Sequence, residues 1–475
     1  MTKLKIVLSG VSIFLILLLI YKKQTNMEQP FTSDNVSGDQ TLFDTAVQAY
    51  IYAYPLVLMD VTKKTMTGNG QYINRFINIS EFPDDTFKHI VRPNVDTLYS
   101  FAWIDLTQGP LLLTVPDTHG RYYLIEFLDA WTNVFASVGK RTTGTTAQKF
   151  IIVGPRDALS FGNESCKDVA GGCTKIQAPT NMILLLGRTQ TYGINDYHAV
   201  HEIQAGYQLV PWQQRGDGRA HSLEVSNLNI GTQPAPVDQV AAMDMEMFYS
   251  TFAHALKNNS PAQADELMVS KLQTMGIEPG KDFDRQALSA DVVRALTDSI
   301  KTAYTKIVSQ KNAEPTVNGW AMMLNVGVYG INYLTRAMVA CIGIGANLPS
   351  DAVYPTTFVD GRGNPLRGTH NYRLHFDVGQ LPPAHAFWSI TLYNSESFLV
   401  KNPINRYSLN DRDPLQFNSD GSLDIYIQHE LPSKDKVANW LPSPEDYFNL
   451  TLRLYWPDQS VLDGTWQPPA VEKII

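Results

Sequence analysis

Cysteine is scarce in this 475-residue chain, with only three. That excludes a disulfide-framed miniprotein and any cysteine-based zinc cluster. Charge is thin as well, at 18% of residues beside 44% hydrophobic, against about 25% charged in typical soluble chains. A disordered chain, poor in apolar residues and rich in charge, is thereby excluded. Positive charge is in deficit, with a net charge of −8. The chain therefore lacks the basic surface that displaces counterions, and no nucleic-acid partner is expected. Several catalytic signatures are missing too. There is no HExxH, no GxSxG elbow, no phosphate-cradling GxxxxGK loop and no GxGxxG opening a helix after a strand. His198 and His201 share a helical face but lack a completing set of ligands, and His370 and His375 read as solvated. No metal and no cofactor is implied.

What is present begins with an apolar run, Ile6 to Tyr21, flanked by Lys3, Lys5, Lys22 and Lys23. Sixteen residues at 1.5 Å rise span about 24 Å, just short of a bilayer core unless the lysines snorkel. No small-x-small cleavage site follows it. Residues 1–23 thus read as a signal sequence or uncleaved membrane anchor, and the acidic, Ser/Asn/Gly-containing residues 24–40 as a tether. Orientation stays open, because lysines flank both ends.

Cys166 and Cys173 lie seven apart in NESCKDVAGGC, a polar stretch with a Gly-Gly turn where their side chains can meet. A disulfide there requires an oxidising compartment. An exported protein on the periplasmic or extracytoplasmic side of the envelope fits both features. Cys341, in an apolar run, reads as a buried thiol. Asn35, Asn78, Asn163, Asn258 and Asn449 head Asn-x-Ser/Thr sequons, relevant only where exported proteins are glycosylated.

Aromatics reach 11%, and with 27 Pro and 31 Gly they suggest many strands joined by tight turns. An amphipathic helix is expected from Thr41 to about Asp60. Strand-like runs follow at spacings of about ten residues: DTLYSFAWIDL, GPLLLTVPD, GRYYLIEFLDA, KFIIVGP and Met182–Leu186. Asp196 to Gln208 returns to helical spacing. Val237–Leu256, Ala262–Met275, Asp284–Ser309 and Trp320–Ile344 read as helices. After Asp351 come NYRLHFDV, AFWSITLYN, SLDIYIQ and FNLTLRLYWP, alternating as in sheets with one wet face. The fold class is α+β, with two β-rich, sandwich-like, mostly antiparallel domains and a helical middle segment. The expected divisions are 41–235, 236–348 and 349–475.

Polar residues recur inside these apolar strands. They include Arg92 to Ser100 (RPNVDTLYS), GRYY from Gly120, then Asp129 with Thr132-Asn133, and Lys140 to Gly144 (KRTTG). The C-terminal third adds Phe387 to Tyr393 (FWSITLY), Asn405 to Ser408 (NRYS), NWLP from Asn439, and Arg453-Leu454-Tyr455. In combination these strings resemble the exported bacterial proteins built from two paired domains of unknown function, numbered 1254 (N-terminal) and 1214 (C-terminal). The resemblance runs from about Thr41 to Pro469. It implies a β-rich N-terminal domain, a helical portion and a β-sandwich-like C-terminal domain, and no settled activity.

Two roles suit such residues. Arginines paired with carboxylates or carbonyls brace strands and domains, and breaking such a buried pair costs about 3–5 kcal/mol. Alternatively, Arg92, Asp96, Arg141, Trp388, Tyr393 and Arg406 converge as a ligand-binding pocket between the β domains. There a guanidinium would grip a carboxylate or phosphate, Trp388 would form a stacking wall, and Asp96 and Tyr393 would be candidate catalytic groups. The preferred reading is a cell-envelope module binding a small molecule or surface ligand. The alternative is an envelope hydrolase or lyase using the Arg/Asp/Tyr pocket. A small-molecule ligand and the membrane, through the N-terminal anchor, are the expected partners, with homo-oligomerisation left open.

Overall fold

The computed structural model describes residues 38–474, apart from 89, 158–160, 162–165, 168, 216–221, 226–233 and 311–315. The expected anchor and most of the tether therefore lie outside the described residues. Among those described, no helix is long and apolar enough to cross a membrane.

The architecture is α+β, built on four mostly antiparallel sheets. The N-terminal half holds two of them. The larger runs Ser222–Val225, Phe76–Ile79, Thr97–Asp105, Met182–Gln190, Tyr123–Asp129 and Val134–Gly139; its first pair is parallel and the rest antiparallel. The smaller orders Thr174–Gln177, Gln148–Val153, Leu111–Val115 and Gln208–Pro211. Because side chains alternate along a strand, each large-sheet strand supplies two surfaces. Ala102, Ile104, Ile125, Phe127, Ile183 and Leu185 pack on Leu111, Leu113, Phe150 and Ile152 of the smaller sheet. Phe101, Trp103, Leu128 and Leu184 face the other way, into a core shared with helices.

The central member of that core is the helix Gly38–Met66. Sequence pattern suggested an amphipathic helix from Thr41 to Asp60. The helix found is longer and almost wholly buried from Ala46 to Val61. Its run AVQAYIYAYPLVLM is apolar on nearly all sides, the composition of a helix enclosed by protein. Helices Met245–Leu256, Glu266–Thr274, Ala290–Ser309 and Tyr333–Ile342 surround it.

Two expected helices are divided. Asp244 accepts a hydrogen bond from the Met247 backbone N–H, so it starts a new helix and separates Met245–Leu256 from Pro236–Ala241. The stretch Trp320–Ile344 gives a short strand, Trp320–Ala321, and then the helix beginning at Tyr333. Asn332 caps that helix by accepting from the Thr335 N–H. Local capping chemistry overrode a continuous apolar pattern in both places.

The C-terminal half is a sandwich. One sheet centres on the long antiparallel pair Ala384–Asn394 and Phe448–Pro457. The other orders Trp440–Pro442, Leu423–Gln428, Asn371–Phe376 and Val471–Ile474. Between them Trp388, Ile390, Leu392, Leu450, Leu452 and Leu454 pack on Tyr372, Leu374, Phe376, Ile425 and Ile427. Residues Leu42–Ile475 form one compact unit by their contacts. Two of the Asn-x-Ser/Thr asparagines, Asn78 and Asn449, are buried in this fold and donate to the backbone carbonyls of Gln204 and Asn394.

Cys166 and Cys173 are joined as a disulfide, as their spacing suggested, with Cα atoms 5.0 Å apart. Cys166 packs with Val169 and Trp212 in a small apolar cluster at the smaller sheet. Cys173→Ser, or reduction of the wild type, is expected to lower stability by about 2.5 kcal/mol, the chain-entropy contribution of so short a loop. Denaturant midpoints with and without reductant measure it, and the substituted chain should no longer respond to reductant.

Candidate functional site

The pair Ala384–Asn394 and Phe448–Pro457 turns its leucines and Trp388 into the sandwich and its other side chains toward the N-terminal half. Phe387, Ser389, Thr391 and Tyr393 point that way, as do Arg453 and Tyr455. A buried seam results, with apolar and polar stretches.

Its apolar stretch gathers Tyr122, Leu124, Ala352, Phe387 and Tyr455. The Phe387 and Tyr455 rings stack with centroids 4.4 Å apart, and Tyr122 meets Phe387 edge-on at 5.6 Å. Its polar stretch centres on Asp96, which is 0% exposed. One Asp96 oxygen accepts from Ser389 Oγ at 2.5 Å and the other from Arg412 Nη2 at 2.9 Å. The Arg412 guanidinium lies 4.3 Å above the Phe387 ring. Asn94 Oδ1 accepts from the backbone N–H groups of Asp96 and Thr97, while its amide donates to the Tyr455 hydroxyl. Arg453 donates to Thr391 Oγ1 at 2.7 Å, to the Tyr393 hydroxyl at 2.6 Å and to the Arg92 carbonyl at 3.2 Å. Tyr393 in turn donates to the Pro93 carbonyl.

Two further ion pairs belong to the same region. Arg141 grips both oxygens of Asp351 through Nε and Nη2, at 2.7 and 2.8 Å. Glu126, fully buried, takes Arg188 Nη1 at 2.6 Å, and Arg188 also donates to the Gly345 carbonyl. Burial pushes the Glu126 carboxyl up to about 7 even beside this arginine. Partly exposed Asp411, near Asp96, is likewise raised by burial to about 6, with Arg412 opposing the shift.

Asp96, Tyr393 and the backbone of Arg92 thus meet around Ser389, Arg412 and Arg453. The Arg92 guanidinium lies 5.5 Å from the exposed Phe358 ring, on a backbone at φ +52°, and shows no hydrogen bond or ion pair to Asp96 among the described residues. Arg141 sits apart, on Asp351. Trp388 faces the sandwich core, next to Phe376, and walls no space between the halves. Arg406 is spent on the carbonyls of Val437, Ala438 and Trp440. Sequence reasoning missed Asp351, Glu126, Arg188 and Arg412. The last lies in the turn sequence NDRDP, which carries no strand pattern to place it.

An open cleft of about 570 Å³ lies elsewhere, lined by residues 116–121, Tyr192, Ala199, Glu202 and Ile203. Its size falls within the usual range of small-ligand sites. The helix Tyr197–Gly206 forms one wall. It approaches the opposite loop closely because Gly206 lacks a side chain: a Cβ there would meet Pro116 Cγ at 2.5 Å. Arg121 fixes the other wall, holding Asp196 with Nη1 and Nη2 at 2.5 and 2.8 Å and donating to the Gln190 carbonyl. Asp196 also accepts from the Tyr192 N–H. Partial burial alone would raise the Asp196 carboxyl, but these donors hold it below the usual carboxylate range. Tyr192, 59% exposed, has Arg121 over its ring at 5.2 Å. Asp117, His119 and Glu202 have largely exposed side chains. The GRYY string thereby serves three regions in succession: Arg121 the cleft, Tyr122 the seam and Tyr123 the core between the N-terminal sheets. Among the described residues, no group of three or more His, Cys, Asp or Glu is placed to hold a metal ion.

Residues 73–211 match the family described as Protein of unknown function (DUF1254), and residues 351–459 the one described as Protein of unknown function (DUF1214). Among solved structures, the VPA0106 protein from Vibrio parahaemolyticus is similar at 22% identity. The match covers 91% of this chain and all of that one, with a TM-score of 0.67. An uncharacterised protein from Burkholderia cenocepacia aligns over 91% of this chain and 94% of its own, at 13% identity and a TM-score of 0.41. No curated protein matches.

Arg412→Leu leaves the Asp96 carboxylate buried with one donor fewer and is expected to cost about 3–5 kcal/mol, against about 1 kcal/mol for Ser389→Ala. Urea unfolding measures both. For Glu126, the folded-state carboxyl lies above its unfolded value. Between the ordinary glutamate range and about pH 7 the native protein holds a proton that the unfolded chain has released. Its contribution to stability is full below about pH 4 and declines as pH rises through 7. Unfolding midpoints of Glu126→Gln should therefore fall less steeply than wild type between about pH 5 and pH 8.

Proposed function

For a chain that belongs to the paired DUF1254–DUF1214 proteins, we propose the role of an exported ligand-binding protein. Its ligand is a small, hydroxyl-rich or amine-bearing molecule such as a saccharide, held in the cleft between Arg121, Tyr192 and Glu202. The observation that carries this reading is the cleft itself, a preformed concavity beside an exposed aromatic ring. Tyr192 offers a flat platform with little rotamer entropy to lose on binding. Arg121 is neutralised by Asp196, so the open polar groups are chiefly the acceptors Asp117, beside His119, and Glu202, beside His198. Such a lining repels free anions and suits ligands that donate hydrogen bonds.

The seam fits the bracing, structural role. Asp96, Ser389 and Tyr393 are at most 0% exposed, and their polar groups bond to one another and to the arginines. A hydrolase or lyase at Asp96 would need substrate to reach a carboxylate already occupied by Ser389 and Arg412. Export is supported by the disulfide, a linkage that persists in oxidising compartments, and by the apolar run Ile6 to Tyr21, which suits a signal sequence or anchor.

Titration calorimetry with glucosamine, glucose and a short oligosaccharide tests the reading. At least one should bind, and Tyr192→Ala and Glu202→Gln should each weaken it about tenfold or more while melting like wild type. Absence of binding by all three, or unchanged affinity in Tyr192→Ala, would overturn it.

A further inference from the structure

Each open carboxylate of the cleft has a histidine beside it. On the loop wall, Asp117 Oδ1 accepts from the His119 backbone N–H at 2.7 Å. That turn holds His119 at φ +52°, with its ring Nδ1 3.6 Å from the same oxygen. On the helix wall, His198 precedes Glu202 by one helical turn, with Nδ1 3.7 Å from Oε1. Two separate elements thus build the same kind of pair.

At these distances neither pair is a hydrogen bond. A neutral imidazole therefore leaves its carboxylate free to accept from a ligand, whereas an imidazolium turns the same approach into an ion pair. Histidine is the side chain whose ordinary change of charge falls between about pH 5 and pH 8. The side chains of His119 and His198 are 84% and 88% exposed, so protons reach them without any opening of the fold.

The other charges around the cleft are already matched. Arg121 and Asp196 cancel through two bonds. Burial opposes ionisation of Asp196, but its donors hold the carboxyl below the usual range, so this pair stays closed while histidines titrate. His201 Nε2 is engaged with the Ser80 carbonyl, and the Tyr197 hydroxyl accepts from the Phe82 N–H. Arg121 is the only arginine or lysine among the lining residues. With both imidazoles neutral, the walls carry two uncompensated negative charges, Asp117 and Glu202.

We propose that the cleft selects ligands bearing an ammonium group and releases them in mild acid, where protonated His119 and His198 compete with the ligand for Asp117 and Glu202. This rests on the cleft being the ligand site, and it narrows the ligand from hydroxyl-rich molecules in general to charged amines. An ammonium touching either carboxylate lies well inside the ~8 Å over which physiological salt screens charge. An imidazolium on that carboxylate removes the attraction and adds repulsion.

Titration calorimetry on the full chain tests the proposal with 2-aminoethyl glucoside, whose alkyl ammonium stays charged as a lysine does, and its uncharged counterpart 2-hydroxyethyl glucoside. At about pH 8 the aminoethyl glycoside should bind about tenfold more tightly than the hydroxyethyl one. At about pH 5.5 that advantage should shrink to about twofold or less, while the affinity for the uncharged glycoside changes little. In the double variant His119→Gln/His198→Gln the advantage should persist at both pH values. Equal binding of the two glycosides at about pH 8, an advantage that survives acid in wild type, or one lost in acid by the double variant as well, would overturn the proposal while leaving the cleft a ligand site. Binding of neither glycoside at either pH would overturn both.

Discussion

The contact between Asp96 and its two donors, Ser389 and Arg412, is the constraint on which the arrangement of the two halves rests. A carboxylate with no solvent exposure is tolerable only if its oxygens are satisfied, and both donors come from the C-terminal third of the chain. The charge therefore specifies which surface of the sandwich must meet the N-terminal segment, and in what register. Arg141 on Asp351 and Arg453 on Tyr393 and the Arg92 carbonyl repeat the device along the same seam. Stacked Phe387 and Tyr455, with Tyr122 edge-on, supply apolar area between these fixed points. Removing one partner of such a pair leaves the other charge buried and unpaired, which is what ties the two halves to each other.

The alternation of the central strands makes this economical. In Ala384–Asn394 one side chain in two belongs to the sandwich core and the next to the seam, so a single strand serves both. Tyr123–Asp129 does likewise, with Ile125 and Phe127 in the core between the N-terminal sheets and Glu126 on the opposite face. A one-residue slip in either strand would exchange the two sets and bury Ser389 and Thr391, or Glu126, among apolar side chains. Register and domain arrangement are thus fixed by the same residues.

Much of the fold was legible in the sequence. Period-two runs such as FNLTLRLYWP and AFWSITLYN announce strands whose apolar residues alternate with polar ones, and the structure places them as a pair. The Cys166–Cys173 link followed from spacing and a Gly-Gly turn. Legibility failed where capping outweighed periodicity, at Asp244 and Asn332, and where burial on all sides hid a helical face, in Gly38–Met66. For the polar clusters, sequence identified that Asp96, Tyr393 and Arg141 are special, but pairing is a property of three-dimensional approach. The partners Arg412 and Asp351 lie in turns with no pattern of their own. The alternating polar residues of Ala384–Asn394 did announce a second face, yet a wet face and a face buried against another sheet have the same period. The cleft, formed by a loop, a strand end and a helix, left only the Arg121 of GRYY as a trace.

If the seam joins the halves as described, they cannot unfold independently. Differential scanning calorimetry of the wild-type chain, with the calorimetric enthalpy set against the van't Hoff enthalpy, is the most direct measurement. One transition with a ratio near one is expected, because losing either half strands buried charges on the other. Two resolved transitions, or a ratio near two, would mean that the halves melt separately and that the charges between them do not hold the molecule together.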